Sequence, residues 1–135
     1  MKELIYKETE QGVLRIRIYE PDNSDTSRPA IVFYFGGAWK KGNLDQFKTH
    51  SEHLARYGMV AACAEYRVSS IHETTPVECV EDGRSAYRWL KSHASEFGID
   101  TTRIVSAGGS AGGHVALCVS LTDSVNASSD DLSVI

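Results

Sequence analysis

The 135-residue sequence has no apolar segment close to the roughly 20 residues that a membrane-spanning helix needs. Its first ten residues are charged from Lys2 onward and contain no apolar stretch of the kind that forms a signal peptide. The sequence therefore predicts no membrane span and a cytoplasmic location, with an export signal removed from the chain as the alternative.

The chain also lacks any excess or cluster of basic residues. Its net charge is −4, and the densest basic cluster is the pair Lys40 and Lys41. Because a surface that binds phosphate groups needs concentrated lysine and arginine, this charge pattern argues against nucleic acid as a partner.

Cysteines are few and scattered. Cys63, Cys79 and Cys118 have neither the spacing of a zinc knuckle nor that of a disulfide framework. Cys63 and Cys118 lie in apolar stretches, where cysteine usually behaves as a small buried hydrophobe. The sequence predicts structural roles for all three and no metal site.

What the sequence does contain is a regular alternation of strand and helix patterns. Residues 4–6 and 14–19 predict two short strands, the second with the alternation of a half-exposed antiparallel pair. Buried strands are predicted at 30–35, 59–64 and 104–107, and helices at 46–57, 76–97 and 111–121. This order predicts one α/β domain over residues 1–135, a mostly parallel sheet flanked by helices, with a polar tail at 123–135.

The long helix that begins at Pro76 is predicted to be amphipathic. One face carries Val77, Val80, Ala86, Trp89 and Leu90, and the other carries Glu81, Arg84, Arg88 and Lys91. Asp82 on this helix and Arg67 before it are expected to be ion-paired scaffolding, because charged residues near buried elements usually have partners.

A glycine-rich turn joins the strand at 104–107 to the helix at 111–121. Its residues Gly108, Gly109, Ser110, Ala111 and Gly112 satisfy the pattern G-x-S-x-G. A sharp turn from strand to helix forces the central residue into a strained conformation, lifts its side chain above the sheet and leaves room only for small neighbours. The position of this turn predicts a nucleophile elbow with Ser110 as the nucleophile.

Two other kinds of glycine-rich loop do not fit this turn. A dinucleotide-binding loop requires G-x-G-x-x-G, and no glycine in the chain has partners at that spacing. A phosphate-binding P-loop requires Gly-Lys-Ser/Thr, and no lysine lies near the turn.

A second glycine motif, Phe35-Gly36-Gly37-Ala38, follows the first buried strand. In α/β-hydrolases the loop at this place supplies one backbone N–H to the oxyanion hole, and the residue after the nucleophile supplies the other. The predicted donors are therefore Gly37 or Ala38 together with Ala111, because bare backbone can approach a developing negative charge closely.

Taken together, these segments resemble the esterase/lipase branch of the α/β-hydrolases, the acetyl-esterase-like and hormone-sensitive-lipase-like enzymes. The resemblance runs from about Pro29 to Leu121 through FYFGGAWKKGN, AEYRV, HETTPVECVEDGRSAYRWL and SAGGSAGGH. It implies hydrolysis of small carboxylic esters through an acyl-serine intermediate, without a cofactor. One departure is that Phe35 and Ala38 take the outer positions of the His-Gly-Gly-Gly motif common in this branch.

A serine hydroxyl is a weak nucleophile until a positioned base takes its proton. In this fold an acid and a histidine follow the nucleophile in sequence, but beyond Ser110 the chain contains His114 as its one histidine. His114 is expected to point along the helix flank, His72 is the weaker alternative for a base, and Asp123 is expected to end the helix.

The sequence therefore predicts that the chain stops before the triad acid and histidine. In the full fold the strands run 1-2-4-3-5-6-7-8, so stopping here leaves residues 104–107 as an exposed apolar edge. This edge predicts a homo-oligomer, or a second chain that supplies the rest of the triad. Two functions remain open: an esterase completed from elsewhere, or a catalytically silent remnant that acts as a binding or assembly module.

Overall fold

A computed structural model describes residues 1–134, in which strands and helices alternate. The strands are β1 (Lys2–Thr9), β2 (Gly12–Tyr19), β3 (Arg28–Tyr34), β4 (Val60–Ala64) and β5 (Ile99–Gly108). The helices are α1 (Lys48–Arg56), α2 (Ser69–His72), α3 (Pro76–Ser92) and α4 (Ala111–Leu121). Every segment predicted from the sequence is present, and α2 is an addition. Across this part of the chain no helix is both long and apolar enough to cross a membrane.

The strands form one mixed sheet in the order β1-β2-β4-β3-β5. β1 pairs with β2, and β2 with β4, in antiparallel fashion, whereas β3 pairs with both β4 and β5 in parallel. This is the strand order predicted for the first part of the fold. It leaves β5 at one edge of the described sheet.

Helices cover both faces of the sheet. Val32 and Tyr34 of β3 point into the larger core, which α3 and α4 cover. Phe33 of the same strand points into a smaller cluster, which α1 covers. The period of two along β3 therefore divides consecutive residues between two cores, which explains why this strand is continuously apolar.

Two helices are shorter than predicted. α3 ends at Ser92 rather than at Phe97, because the chain then turns and brings the fully buried Phe97 into the larger core. α1 begins at Lys48 rather than at Gln46, since the backbone N–H groups of Gln46 and Lys48 close turns onto Asn43 and Asp45.

The polar face predicted for α3 is wrong at two positions. Arg84 and Arg88 are 3% and 5% exposed. The Arg84 Nε and the Arg88 Nη2 atoms donate to Asn126 Oδ1, and Arg88 also pairs with Asp130 at 2.8 Å. The segment predicted as a polar tail thus turns back over α3 and supplies the partners of both arginines. Val77, predicted on the apolar face, is instead 54% exposed.

Arg67 and Asp82 were each predicted to be ion-paired, and the structure pairs them with each other. Asp82 is fully buried, and its two carboxylate oxygens accept hydrogen bonds from Arg67 Nε at 2.8 Å and from Arg67 Nη2 at 2.9 Å. Lys7 of β1 adds a third contact at 2.7 Å. This network joins β1, α3 and the segment after β4, and it holds the neighbouring Tyr66 in place.

Candidate active site

Ser110 lies in the turn between β5 and α4, with its side chain exposed to solvent. Its backbone has φ of 52° and ψ of −118°, a combination that L residues rarely adopt. The sharp turn predicted from G-x-S-x-G is therefore present, and the predicted nucleophile stands above the carboxyl end of β5 at the amino terminus of α4.

The glycines around Ser110 differ in how strictly the structure needs them. A Cβ atom at Gly112 would lie 2.0 Å from the Tyr34 carbonyl oxygen, and one at Gly108 would lie 2.3 Å from the Gly112 carbonyl oxygen. Both positions exclude any side chain. Gly109 is different, because its nearest neighbour would be Phe47 Cζ at 3.4 Å, an ordinary contact.

The Gly36-Gly37 segment passes directly beside the elbow. A Cβ atom at Gly36 would lie 2.6 Å from the Gly109 carbonyl oxygen and 3.3 Å from Ser110 Cβ. One at Gly37, where φ is 154°, would lie 1.9 Å from the Lys41 carbonyl oxygen. The structure thus brings together the two glycine motifs that are about 70 residues apart in the sequence.

Residues 35–41, hereafter the oxyanion loop, continue in a strained path. Ala38 and Trp39 have φ of 56° and 59°, so two successive residues with side chains adopt the left-handed conformation. The Gly37 carbonyl accepts hydrogen bonds from the N–H groups of Lys40 and Lys41. These bonds close a tight turn that directs the loop past Ser110.

The oxyanion loop is anchored at both ends. Tyr66 Oη donates to the Phe35 carbonyl oxygen at 2.5 Å, and the Ser69 N–H donates to the Trp39 carbonyl oxygen at 3.0 Å. Burial raises the pKa of Tyr66 far above its usual value, so the hydroxyl keeps its proton and remains a donor.

Gln46 is a further anchor that the sequence reasoning missed. Its Oε1 atom accepts from the Gly36 N–H at 2.6 Å, and its Nε2 atom donates to the Gly36 carbonyl at 3.2 Å. A helix pattern assigned to residues 46–57 hid this role, because a helical glutamine would point along the helix. Asn43 and Asp45 just before it are typical turn residues, and they were the signal that Gln46 lies in a turn rather than in the helix.

The N–H groups of the predicted oxyanion donors are not used in hydrogen bonds within residues 1–134. Ala111 is the first residue of α4, and the first N–H groups of a helix have no partner within the helix. Across residues 1–134, the N–H groups of Gly37 and Ala38 make no hydrogen bond to the protein either. The amino terminus of α4 also adds a partial positive charge beside Ser110.

The histidines of the described chain do not contact the Ser110 hydroxyl. His114 Nδ1 accepts a hydrogen bond from Trp39 Nε1 at 3.3 Å, and its Nε2 atom lies 3.6 Å from Cys118 Sγ. His114 therefore connects α4 to the oxyanion loop. His72 bonds through Nδ1 to Val68 of its own turn. Asp123 lies beyond the end of α4, as expected.

An open groove runs past Ser110 along the free side of β5. It is lined by Ser106 and Gly108 of β5 and by His114 and Leu117 of α4. Nowhere in residues 1–134 do three or more His, Cys, Asp or Glu side chains gather in a way that could hold a metal ion.

Solved structures of an esterase have the same fold. Thermogutta terrifontis esterase 2 in its native form is 41% identical and superposes with a TM-score of 0.94, over 98% of this chain and 48% of that one. The same enzyme phosphorylated by paraoxon is 40% identical with a TM-score of 0.95, over 98% and 52%. The sheet, the elbow and this likeness show that the chain has the α/β-hydrolase fold over the half of this esterase that it matches.

The family follows from the sequence comparisons. The BD-FAE family model matches residues 16–133, and the chain belongs to this family. Carboxylesterase NlhH of Mycobacterium tuberculosis is 36% identical over 106 residues, which are 75% of this chain and 31% of the relative. Isoprenylcysteine alpha-carbonyl methylesterase ICME of Arabidopsis thaliana is 34% identical over 107 residues, which are 79% of this chain and 25% of the relative. The chain spans a quarter to a third of these relatives and about half of the solved esterase.

Proposed function

We propose that the protein hydrolyses small carboxylic esters with Ser110 as the nucleophile. The observation that carries this proposal is the exposed Ser110 on a strained elbow, in contact with the Gly36 segment of the oxyanion loop. The Ser110 Oγ attacks the acyl carbon, and the alcohol leaves with a proton. Water then cleaves the acyl-serine bond, and no cofactor is required.

The developing oxyanion is stabilised by backbone N–H groups in this mechanism. Ala111 supplies one donor and Gly37 or Ala38 the other, because all three lie beside the elbow with unbonded N–H groups. A preorganised donor of this kind typically contributes on the order of 10²–10³ in rate. The departure from His-Gly-Gly-Gly leaves these backbone donors in place.

The proton of Ser110 needs an acceptor from outside the described residues. His114 and His72 are engaged with Trp39 and Val68, and the chain covers about half of the esterase that it resembles. We propose that the triad acid and histidine belong to polypeptide that docks on the free edge of β5. Val105 of β5 is 51% exposed there, and Leu117 and Leu121 expose a further apolar stripe on α4.

The proposal is that this edge receives a strand from the remaining part of an esterase. An unpaired edge exposes a row of N–H and C=O groups that another strand can pair with. Pairing of two copies of this chain is the competing outcome. Under this proposal the protein acts in the cytoplasm. Its three free thiols, Cys63, Cys79 and Cys118, are consistent with that location.

Phosphorylation by paraoxon tests the nucleophile. Attack by the Ser110 Oγ forms a phosphoryl–serine bond, p-nitrophenolate leaves, and the serine proton passes to solvent. We expect intact mass spectrometry to show one diethylphosphoryl group on the chain and none on Ser110→Ala. Ser92→Ala, at an exposed serine remote from the elbow, is the matched control and reacts like the unmodified chain.

Turnover of p-nitrophenyl acetate gives a second readout. With the completing polypeptide present, equal rates for the chain and Ser110→Ala would reject Ser110 as the nucleophile. Weak hydrolysis by the chain alone does not identify the nucleophile, because an oxyanion hole alone retains roughly 10³–10⁴-fold catalysis over water when triad groups are absent. If neither probe reacts at Ser110 even when the polypeptide that completes the triad is present, the chain is the silent binding or assembly module.

A further inference from the structure

Gln46 uses both polar atoms of its side chain on one residue of the oxyanion loop, Gly36. The Gly36 N–H donates to Oε1 at 2.6 Å, and the Gly36 carbonyl accepts from Nε2 at 3.2 Å. A primary amide presents a donor and an acceptor side by side, so it can pair with the N–H and the C=O of one residue as a neighbouring strand does. Gln46 is therefore a substitute strand partner.

Gly36 needs such a partner because the sheet ends just before it. The pairing of β3 stops at Tyr34, which lies opposite Ala64 on one side and Gly108 on the other. Two residues later the backbone has left both ladders. Without Gln46, the described chain offers the Gly36 N–H and carbonyl no partner in the protein.

The position of Gly36 controls the space around the nucleophile. Gly36 has no Cβ atom, and a Cβ added to it would lie 3.3 Å from Ser110 Cβ. The next residues, Gly37 and Ala38, carry the proposed oxyanion N–H groups. A small shift of Gly36 therefore moves both donors relative to the serine, and a 1 Å error in such geometry costs about 10²-fold in rate.

Phe47 ties the same segment to the elbow. Its ring stacks on Phe33 of β3 with centroids 4.8 Å apart, and its Cζ atom would be 3.4 Å from a Cβ at Gly109. The turn before α1 thus contacts both halves of the site. Gln46 binds the oxyanion loop while Phe47 packs against the elbow.

We infer that Gln46 is a positioning residue that holds the oxyanion loop in its active geometry through Gly36. The inference rests on the proposed function for its catalytic consequence. Its structural basis, the paired contacts of one side chain with Gly36, stands independently. Within residues 1–134 the hydrogen bonds of the Gln46 side chain go to Gly36 and not to Ser110.

The test replaces Gln46 by methionine, which keeps the length of the side chain and removes both hydrogen bonds. Gln11→Met is the matched control, because Gln11 is the other glutamine of the chain and its amide contacts Arg67 instead. Gln46→Glu keeps an acceptor for the Gly36 N–H but loses the donor to the Gly36 carbonyl. The variants are compared by thermal unfolding, amide exchange of Gly36 by NMR, and the rate of phosphorylation by paraoxon.

For Gln46→Met we expect Gly36 exchange to accelerate about fivefold to tenfold, the equivalent of one lost hydrogen bond. The phosphorylation rate should fall about tenfold, with a melting temperature close to that of Gln11→Met. Gln46→Glu should keep part of the Gly36 protection and fall between the two in rate. This graded response separates positioning from a general loss of stability.

Unchanged Gly36 exchange in Gln46→Met would overturn the inference. So would normal phosphorylation of that variant, because Gln46 would then hold the loop without influencing the reaction. If the unmodified chain does not react even when the polypeptide that completes the triad is present, the proposed function fails. In that case Gly36 exchange and the amide shifts of Gly37 and Ala38 decide alone whether Gln46 positions the loop.

Discussion

At the scale of single residues, backbone strain is concentrated at the candidate site. Four residues other than glycine have positive φ among those that the structure describes, and Ala38, Trp39 and Ser110 belong to the site. Each such residue costs on the order of 1–3 kcal/mol, and surrounding contacts must hold it in place. Tyr66, Ser69 and the Gly37 turn provide these contacts for the oxyanion loop.

The glycines of the elbow give a direct test of this packing. Gly112→Ala should destabilise the fold by about 1–3 kcal/mol, because its Cβ would overlap the Tyr34 carbonyl oxygen. In an ordinary helix the same change stabilises by roughly 0.5–1 kcal/mol, so the sign of the effect is diagnostic. Urea unfolding monitored by circular dichroism measures it.

Gly109→Ala serves as the comparison, since its new Cβ has only an ordinary contact with Phe47. Its unfolding free energy should stay within about 0.5 kcal/mol of the starting value. An unfolding midpoint of Gly112→Ala at or above that of Gly109→Ala would contradict the elbow geometry.

At the scale of elements, α3 has a well-defined beginning. Pro76 follows the N-cap residue Thr75, whose side chain accepts from the Val77 N–H, while Glu78 accepts from the Thr75 N–H at 2.8 Å. Together these contacts form a capping box. The box matters for the site because α3 also carries Asp82, whose contacts with Arg67 hold the segment that anchors Phe35.

The carboxylate of Glu78 makes this cap pH-dependent. The hydrogen bond from the Thr75 hydroxyl lowers the pKa of Glu78 below its ordinary value. A lowered pKa in the folded state means that the stabilisation is present above the unfolded pKa and is lost as the pH falls through the folded pKa. Glu78→Gln should therefore be less stable than the starting chain at pH 7, by about 1 kcal/mol or less, and the difference should shrink as the pH falls through the folded pKa of Glu78.

Urea unfolding at several pH values measures this convergence. Glu96→Gln is the control, because no ion pair of Glu96 occurs within residues 1–134. A stability difference between Glu78→Gln and the starting chain that persists unchanged at pH 3 would show that the charge of Glu78 plays no part in the cap.

At the scale of the whole molecule, the proposed docking of a completing strand depends on the exposed edge of β5. Val105 on this strand and Leu117 and Leu121 on α4 expose apolar surface, and Leu117 also lines the groove at Ser110. Scattered apolar residues are normal on protein surfaces, but an unpaired strand next to such residues favours association. The site and the docking edge thus share one side of the molecule.

A charge placed on this edge tests the association. Val105→Lys should weaken binding of a completing strand, or of a second copy, by about tenfold or more, because an edge lysine would have to be buried on pairing. Val77→Lys is the matched control, since Val77 is similarly exposed but lies at the start of α3. Sedimentation velocity at increasing concentration, alone and with a polypeptide that spans the rest of a related esterase, measures the effect. Equal association of both variants would place the interface elsewhere.

Much of this fold and site was predictable from the sequence because the signals are local. Apolar runs and alternation indicate the strands, and Thr75-Pro76 marks the start of α3. The pattern around Ser110 predicts the elbow, since a strand-to-helix turn of this sharpness admits only small residues at Gly108 and Gly112. Likewise, the continuous apolar run Ala30–Tyr34 indicates a strand that is buried on both faces, and in the structure its residues pack alternately into the two cores.

Only the tertiary structure decided the features that depend on distant partners. α3 ends early because Phe97 is drawn into the core, and Arg84 and Arg88 are buried because residues 119–130 return to bond them. Gln46 faces Gly36 because the pairing of β3 ends at Tyr34, two residues before Gly36. Periodicity along a chain reports which side of an element is apolar, whereas hydrogen bonds between segments far apart in sequence depend on how those elements pack.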